Sequence, residues 1–391
     1  MVSLHRLEIE NYRSLRRVRV NLGPLNVLVG PNGAGKSNLL DAIRFLGDVA
    51  RFDLQPAIDR RGEFRDLVFR GVADPPPKSI KFDIQARVTR YASANALDNY
   101  SLSFWQRGPF LQRFESFAFK RTRGRGRRIN ISGGTVDILD DDKNPRRQSV
   151  AVRSAGLATL QKLGEEVGAD QVREMASIFE AFRVFDVNVA AARQPAALEK
   201  HPVLSADASN LAPFLLWLRQ ADAEILTLIE DDLRRILPNF ERFKFHRVGG
   251  ATQAVSIELV EAPLKRATPL TQASLGTIRA LALLAMLHDP NPPRLTCVEE
   301  IDHGLHPYAL DCIVERMRDA STRTQLLIAT HSPSLVNRLK PDELIICERD
   351  ADTGASRIPA IDPGEVYEMT AEAELDLGEI WFSGALGGVP Q

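Results

Sequence analysis

At 391 residues the chain is long enough for two or three hydrophobic cores. Its composition, 44% hydrophobic and 26% charged, is that of an ordinary globular protein and excludes a disordered or collagen-like polymer. Fifty basic against 51 acidic residues leave a formal net charge of −1, so no global field draws nucleic acid or a membrane, and any such surface must be local.

The three cysteines, Cys297, Cys312 and Cys347, are widely spaced and form no C-x-x-C pair. They fit a reducing compartment and read as small buried hydrophobes. The N-terminus carries no signal-peptide apolar region, and the longest apolar run, Leu281 to Leu287, is far short of a membrane span. A cytoplasmic protein with no membrane partner is the expectation.

In chain order, Leu4 to Glu10 alternates like a half-buried or edge strand. Asn11 to Leu15 is a turn, Val18 to Leu22 a second strand, and Gly23-Pro24 a break. Arg13 lies on that turn and, taken alone, reads as a solvated loop arginine. Leu25 to Val29 is a short apolar strand, followed by Gly30-Pro31-Asn32-Gly33-Ala34-Gly35-Lys36-Ser37 and then by helical periodicity from Asn38 to Leu46. Strand, G-x-x-x-x-G-K-S turn and helix are the context of a phosphate-binding loop. Glycines let backbone N–H groups crowd around phosphate oxygens, and the helix N-terminus adds a positive dipole end. The residues expected to touch the phosphates are Asn32, Gly33, Ala34, Gly35, Lys36, Ser37 and Asn38. Lys36 would reach the β- and γ-phosphates and the Ser37 hydroxyl would ligate Mg²⁺. The stretch therefore specifies an ATP or GTP site.

Gly62 to Gly71 is a short mixed segment, and Asp74-Pro75-Pro76-Pro77-Lys78 is a hard stop. Ser79 to Val88 and Tyr100 to Trp105 alternate cleanly, as in an antiparallel sheet. Phe110, Phe114, Phe117 and Phe119 alternate with polar residues and read as the buried face of a strand rather than a base-stacking platform. The most basic stretch follows, with Arg121, Arg123, Arg125, Arg127 and Arg128 separated by glycines. It has two readings: a flexible loop that neutralises nucleic-acid phosphates, or a solvated hairpin tip balanced by Asp137 and Asp140-Asp141-Asp142.

From Gln148 to Arg183 the apolar residues, including Leu163 and Val167, fall at helical spacings. Phe185 to Ala190 is strand-like, Ser205 to Asn210 a loop, and Leu211 to Leu237 a long helical stretch with Pro213 in its first turn and Pro238 at its end. No heptad pattern persists, so no long coiled coil is expected. Phe243 to Val248 and Ala254 to Val260 read as a hairpin across Gly249-Gly250.

Pro293 to Glu300 is a buried-strand pattern ending in two acids. In a chain that carries a phosphate loop, Glu299 is placed to hold Mg²⁺ and Glu300 to polarise an attacking water as general base. Gln325 to Thr330 is a further apolar strand, delivering His331, which can touch a γ-phosphate or fix that water.

These stretches, together with Leu7-Glu8-Ile9-Glu10-Asn11-Tyr12-Arg13-Ser14-Leu15, Ser274-Leu275-Gly276-Thr277-Ile278-Arg279 and Glu299-Glu300-Ile301-Asp302-His303-Gly304-Leu305-His306-Pro307, resemble the ABC-type ATPase heads of the SMC, RecF and OLD-like group, in particular small members without a coiled coil. The resemblance implies an α/β P-loop NTPase fold: an ABC-type head with a mixed β-sheet, an antiparallel β subdomain and a helical insertion. Its implied parts are an N-terminal half of the head over 1–140, a mainly helical insertion over 141–240 and a C-terminal half over 241–391. It places Ser274 and Gly276 on the ABC signature, which contacts the γ-phosphate held by a second head. Leu305-His306-Pro307 then crosses the head-to-head interface, His331 is the switch histidine, and Arg13 lies near the nucleotide. The implied cofactors are ATP and Mg²⁺, and the implied assembly is a homodimer with ATP sandwiched between heads. Leu275 stands where the family has a polar or glycine residue and Ile301 where it has proline, which bears on trans contact and hydrolysis. The implied output is a DNA transaction or antiphage defence. Three further readings stay open: a RecF-like clamp that binds DNA directly through the arginines from 121 to 128, a regulatory ATPase that holds an effector such as a nuclease or toxin encoded nearby without binding DNA itself, and a transporter ATPase subunit. Fewer residues follow position 350 than an appended nuclease domain needs.

Overall fold

The computed structural model describes residues 3–122, 124, 126–140, 146–150, 154–162, 168–198, 202–249, 253–372 and 377–383. Arg123, Arg125, Asp141, Asp142, Leu163, Val167 and Gly250, singled out above, lie outside the described residues. The chain opens with strands β1 (Ser3–Tyr12), β2 (Leu15–Asn21) and β3 (Leu25–Val29), then helices α1 (Lys36–Phe52), α2 (Leu54–Asp59) and α3 (Phe64–Leu67). Six strands follow: β4 (Ser79–Arg87), β5 (Asp98–Arg107), β6 (Phe110–Phe119), β7 (Arg127–Ser132), β8 (Thr135–Leu139) and β9 (Arg146–Ser149). Helices α4 (Gly156–Thr159) and α5 (Ala169–Glu180) precede β10 (Arg183–Phe185), α6 (Val189–Ala192), β11 (Ala196–Ala197), α7 (Leu211–Ala221) and α8 (Ala223–Ile236). Next come β12 (Phe240–Val248), β13 (Ala254–Glu261), β14 (Thr268–Pro269), α9 (Leu275–Leu287), β15 (Leu295–Glu299), α10 (Pro307–Ala320), β16 (Gln325–Thr330) and α11 (Pro333–Val336). The chain closes with β17 (Leu344–Ile346), β18 (Glu348–Arg349), β19 (Ser356–Arg357), α12 (Pro363–Glu372) and α13 (Leu377–Phe382).

The chain forms two compact units. The first comprises 1–182, 341–375 and 380–391; the second comprises 183–340 and 376–379. The seam at Phe182/Arg183 falls inside the stretch 141–240. No described helix is long and apolar enough to cross a membrane.

In the first unit an eight-stranded antiparallel sheet runs in the order β2-β1-β4-β5-β6-β7-β8-β9. Period-2 alternation sends Ile80, Phe82 and Ile84 of β4 and Tyr100, Leu102 and Phe104 of β5 to one buried face. Helix α1 presents Phe45 to that face. Phe45 lies 5.7 Å from Tyr12, 5.6 Å from Phe82 and 5.6 Å from Phe104, centroid to centroid. At these separations aromatic pairs add about 0.5–1.5 kcal/mol each beyond area burial. Beside this sheet, β3 and β17 pair in parallel, with Leu28 opposite Ile345.

The second unit holds a parallel set in which β10 and β16 flank β15. It also holds an antiparallel set in which β12, β11 and β14 pair with β13. Helix α9 is apolar almost all round, and from Ile278 to Leu287 every residue is buried, as expected of a helix enclosed by protein.

Three expectations change in detail. The helical stretch from Leu211 to Leu237 is two helices. Asp222 closes α7 by donating its backbone N–H to Leu218 O at 2.8 Å, and caps α8 by accepting from Ile225 N at 3.3 Å. The strand-like run from Phe185 to Ala190 is strand only to Phe185. Asn188 then accepts from Ala191 N at 3.1 Å and starts α6. The phenylalanines of β6 divide between faces: Phe117 and Phe119 are buried, whereas Phe110 and Phe114 are 53% and 41% exposed. Positions 110 and 114 share parity with each other, not with 117 and 119, and a two-residue period separates them.

The inward places of β6 hold charge instead. Arg113 and Glu115 form an ion pair at 3.2 Å with side chains 1% and 0% exposed. Glu115 accepts from Tyr100 Oη at 2.9 Å and from Gly156 N at 2.7 Å, while Arg113 Nε donates to Ser154 O at 2.6 Å. Burial pushes the Glu115 carboxyl up, against the pull of Arg113 and the backbone N–H of Gly156. At the far side Asp53, with φ +83°, accepts from Ala155 N at 2.5 Å and from the Ser154 hydroxyl. The start of α4 is thus pinned between the sheet and the end of α1. Glu115→Ala strands a buried guanidinium and is expected to cost about 3–5 kcal/mol. Urea unfolding should show that loss, and an R113M/E115L pair should recover most of it.

Candidate functional site

The phosphate loop belongs to the first unit. Strand β3 is buried along its whole length and delivers Gly30 against Cys347, where an added Cβ would lie 2.2 Å from the Cys347 carbonyl oxygen. Gly33 and Gly35 have φ of +82° and +107°. A Cβ on Gly35 would also lie 2.1 Å from Ser356 Oγ. Glycine is needed at 30 for space and at 35 for both space and conformation. Left-handed glycines in such a turn aim successive N–H groups into an anion-binding concavity. Helix α1 starts at Lys36, directly behind it. The Lys36 ammonium donates to Gly30 O at 2.6 Å and Pro31 O at 3.0 Å, folded across the loop it serves. Asn32, Gly33 and Ser37 are exposed, and Ala34 and Gly35 are buried.

The loop is braced by the β18–β19 hairpin. Asn38 Nδ2 donates to Ser14 Oγ at 2.7 Å, and Ser14 Oγ lies 2.7 Å from Ser356 Oγ. Arg349 donates to Gly33 O at 3.3 Å. Asp350 caps the hairpin turn, accepting from Thr353 N at 2.9 Å and pairing with Arg357. Burial holds the Cys347 thiol up at about 12, so it is an inert neighbour of the loop.

Arg13 has φ +50° and donates its backbone N–H to Leu67 O at 2.6 Å. Its guanidinium pairs at 3.1 Å with Asp41 of α1, which also accepts from Tyr12 Oη at 2.6 Å and from Arg61 Nε at 3.0 Å. Burial, with Asp41 beside it, pushes the Tyr12 phenol far above its ordinary value. Arg13, Ser14, Asn38, Phe69, Arg70 and Arg349 line a pocket next to the loop.

The acid pair, signature and switch histidine belong to the second unit. Glu299 ends β15, and Glu300 turns off the strand with φ +49°, its backbone N–H donating to Ala329 O at 2.8 Å. Its carboxylate is half exposed, 3.6 Å from His303 Nδ1 and 3.9 Å from His331 Nδ1. Thr330 Oγ1 donates to Asp302 at 2.6 Å and accepts from Ser332 N at 3.0 Å, fixing the turn that carries His331. Ser274 caps α9, accepting from Thr277 N at 3.1 Å. Gly276 packs so closely that a Cβ would lie 2.8 Å from Gly304 O, and Arg279 donates to Glu300 O at 2.8 Å. His306 caps α10 by accepting from Tyr308 N at 3.3 Å, with Pro307 in the first turn.

The basic stretch is partly neutralised. Arg121 and Arg127 each pair with Asp140 at 3.0 Å, while Arg128 is exposed on β7. Among the described residues no cluster of three His, Cys, Asp or Glu side chains forms a metal cage. Sequence reasoning did not find the bracing pair Ser14 and Ser356, the contact of Arg349, or His303 beside Glu300. Arg279 lies in the signature stretch Ser274 to Arg279, at helical spacing from Gly276. Ser356 carries no local signal, because its partner is 342 positions away.

Fold and motifs define an ABC-type P-loop ATPase head. A solved SMC head bound to the C-winged helix domain of ScpA matches over 91% of this chain and 97% of that one, with TM-score 0.57 at 16% identity. A family model described as "AAA domain, putative AbiEii toxin, Type IV TA system" matches residues 25–91 and 167–337, more than half of the chain, and the chain belongs to that family. The Structural maintenance of chromosomes protein 1 of Saccharomyces cerevisiae is 29% identical over 177 residues, which are 44% of this chain and 13% of that protein. The OLD nuclease of Thermus scotoductus is 33% identical over 122 residues, 24% of this chain and 23% of that protein. The chain thus spans less than a quarter of the length of either relative. In sequence and fold it is thus similar to the ATPase heads of the SMC/RecF/OLD-like class.

Gly35→Ala combines a strained φ with a Cβ in the place of Ser356 Oγ. Titration with a fluorescent ATP analogue is expected to show affinity down by a factor of about 100 or more, since the change distorts the N–H cradle itself. Gly33→Ala, where a Cβ meets nothing within 4 Å, should lose less.

Proposed function

We propose that this chain binds ATP with Mg²⁺ on the phosphate loop and hydrolyses it slowly, two copies closing head to head around the nucleotide. The observation that carries the reading is a braced strand–loop–helix phosphate cradle in a chain whose strand ends deliver Glu299, Glu300 and His331. The groups needed for phosphoryl transfer to water are all present. The loop N–H groups and Lys36 take the phosphate charge. Ser37 and Glu299 are the residues that would hold Mg²⁺, which when bound neutralises charge on the phosphate oxygens. Glu300 accepts a proton from the attacking water, and its exposure leaves the carboxylate reachable by that water. His331 orients the water or touches the γ-phosphate. Asn38 and Arg13 border the pocket lined by Phe69 and Arg349, which fits the nucleoside end. Ser274 and Gly276 serve the γ-phosphate of the second copy; Ser274, the exposed N-cap of α9, is where a partner can reach, and half-buried Gly276 follows in the first turn.

The cycle gates a DNA transaction or a defence activity. One observation favours a second reading, in which the head holds an effector protein and does not itself grip DNA. Asp140 already occupies Arg121 and Arg127, two of the arginines that would otherwise meet phosphates.

Glu300→Gln is the deciding variant. Loss of a general base typically costs 10²–10⁴ in rate, so kcat should fall by about that factor with ATP affinity retained. Size-exclusion chromatography with ATP should show a more persistent dimer. Turnover at the wild-type rate would remove Glu300 from the role. Ser274→Ala should lower turnover without weakening ATP binding to the separate heads.

A further inference from the structure

Helix α9 joins the signature to the acid pair through Arg279, which forms no ion pair among the described residues. Arg279 is 8% exposed, on a helix whose other residues from Ile278 to Leu287 are apolar and buried. Burial pulls its guanidinium pKa down, and Asp186, Glu300 and Asp302 pull the other way. Its Nε has no hydrogen-bond partner among the described residues. Among the described residues its hydrogen bond is a donation from Nη2 to the backbone carbonyl of Glu300 at 2.8 Å.

Enclosing a guanidinium is costly, and spending it on a carbonyl is an uneconomical way to stabilise a helix. The contact falls where the chain is strained. Glu300 is a non-glycine residue with φ +49°, a conformation that persists only when its surroundings impose it. Three bonds do so. The Glu300 N–H donates to Ala329 O at 2.8 Å, and its carbonyl accepts from His303 N at 3.0 Å and from Arg279. The same helix meets the other end of this turn, at the close approach of Gly276 to Gly304 O. The first two turns of α9 therefore clamp the Glu300–Gly304 turn at both ends.

We infer that Arg279 is a positioning residue: it holds the backbone of Glu300 in its left-handed state and so ties the aim of the Glu300 carboxylate to the placement of the Ser274 end of α9. The inference rests on the reading of Glu300 as general base. A shift of α9 when Ser274 engages a γ-phosphate passes directly to the residue that activates water.

Three variants test it by steady-state and single-turnover ATP hydrolysis: R279M, R279K and R279M combined with E300Q. Misplacing a catalytic group by about 1 Å costs on the order of 100-fold. R279M should therefore lower kcat by about 10–100-fold with the KM for ATP within about twofold of wild type, and R279K should recover part of the loss. In the E300Q background R279M should cost no further rate, because a group acting only through Glu300 has nothing left to position. An equal fractional loss in both backgrounds, or unchanged kcat in R279M, overturns the inference. If R279M does not fold, R279K carries the test: kcat lowered in wild type but not in E300Q supports the role, and kcat lowered equally in both removes it. Wild-type turnover by E300Q alone would instead remove the general-base reading, an outcome distinct from any result at Arg279.

Discussion

The first unit depends on a backbone approach that tolerates no side chain. The Cys347 carbonyl and the Ser356 hydroxyl occupy the places where Gly30 and Gly35 would carry a Cβ. The phosphate cradle is therefore shaped by a strand and a hairpin that come more than 300 positions later in the chain. Strand β17 lies along β3, and β18–β19 supplies Ser356 and Arg349 to the loop. The loop is rigid through packing, not through local sequence alone.

Around this cradle the unit spends charge inside itself. Asp41 gathers Tyr12, Arg13 and Arg61, and Arg61 goes on to Asp48 at 2.7 Å. Arg113 and Glu115 do the same under α4. Such buried pairs gain little over apolar packing, but they are intolerant of alternatives, because losing one partner strands the other. They fix the register of α1 and α4 against the sheet, and with α1 the position of Lys36.

Much of this was legible in the sequence. The phosphate loop, the acid pair and the strand ending at His331 stood out because each is a short-range pattern: an apolar run with a chemically specific end. The antiparallel strands were legible from period-2 alternation. What failed were patterns whose meaning depends on distant partners. Phe110 and Phe114 looked buried because they alternate with polar residues, while parity with Phe117 and Phe119 puts Arg113 and Glu115 inward instead. Leu211 to Leu237 kept its helical period straight through Asp222, and only the capping geometry breaks it. Arg13 read as solvated from its own turn and as near the nucleotide only by resemblance; its pairing with Asp41, on the following helix, carries no local signal.

The lateness of β17 also has a temporal consequence. During synthesis the strand bearing the phosphate loop emerges well before the strand that shapes it, which follows more than 300 residues later. For most of translation β3 has one edge without the parallel neighbour it will finally have. Contacts of such long sequence separation make folding slow, and an apolar edge left open meanwhile is prone to wrong pairing. A nascent chain of this design acquires a fully shaped phosphate loop only once Cys347 and Ser356 have emerged to pack against Gly30 and Gly35.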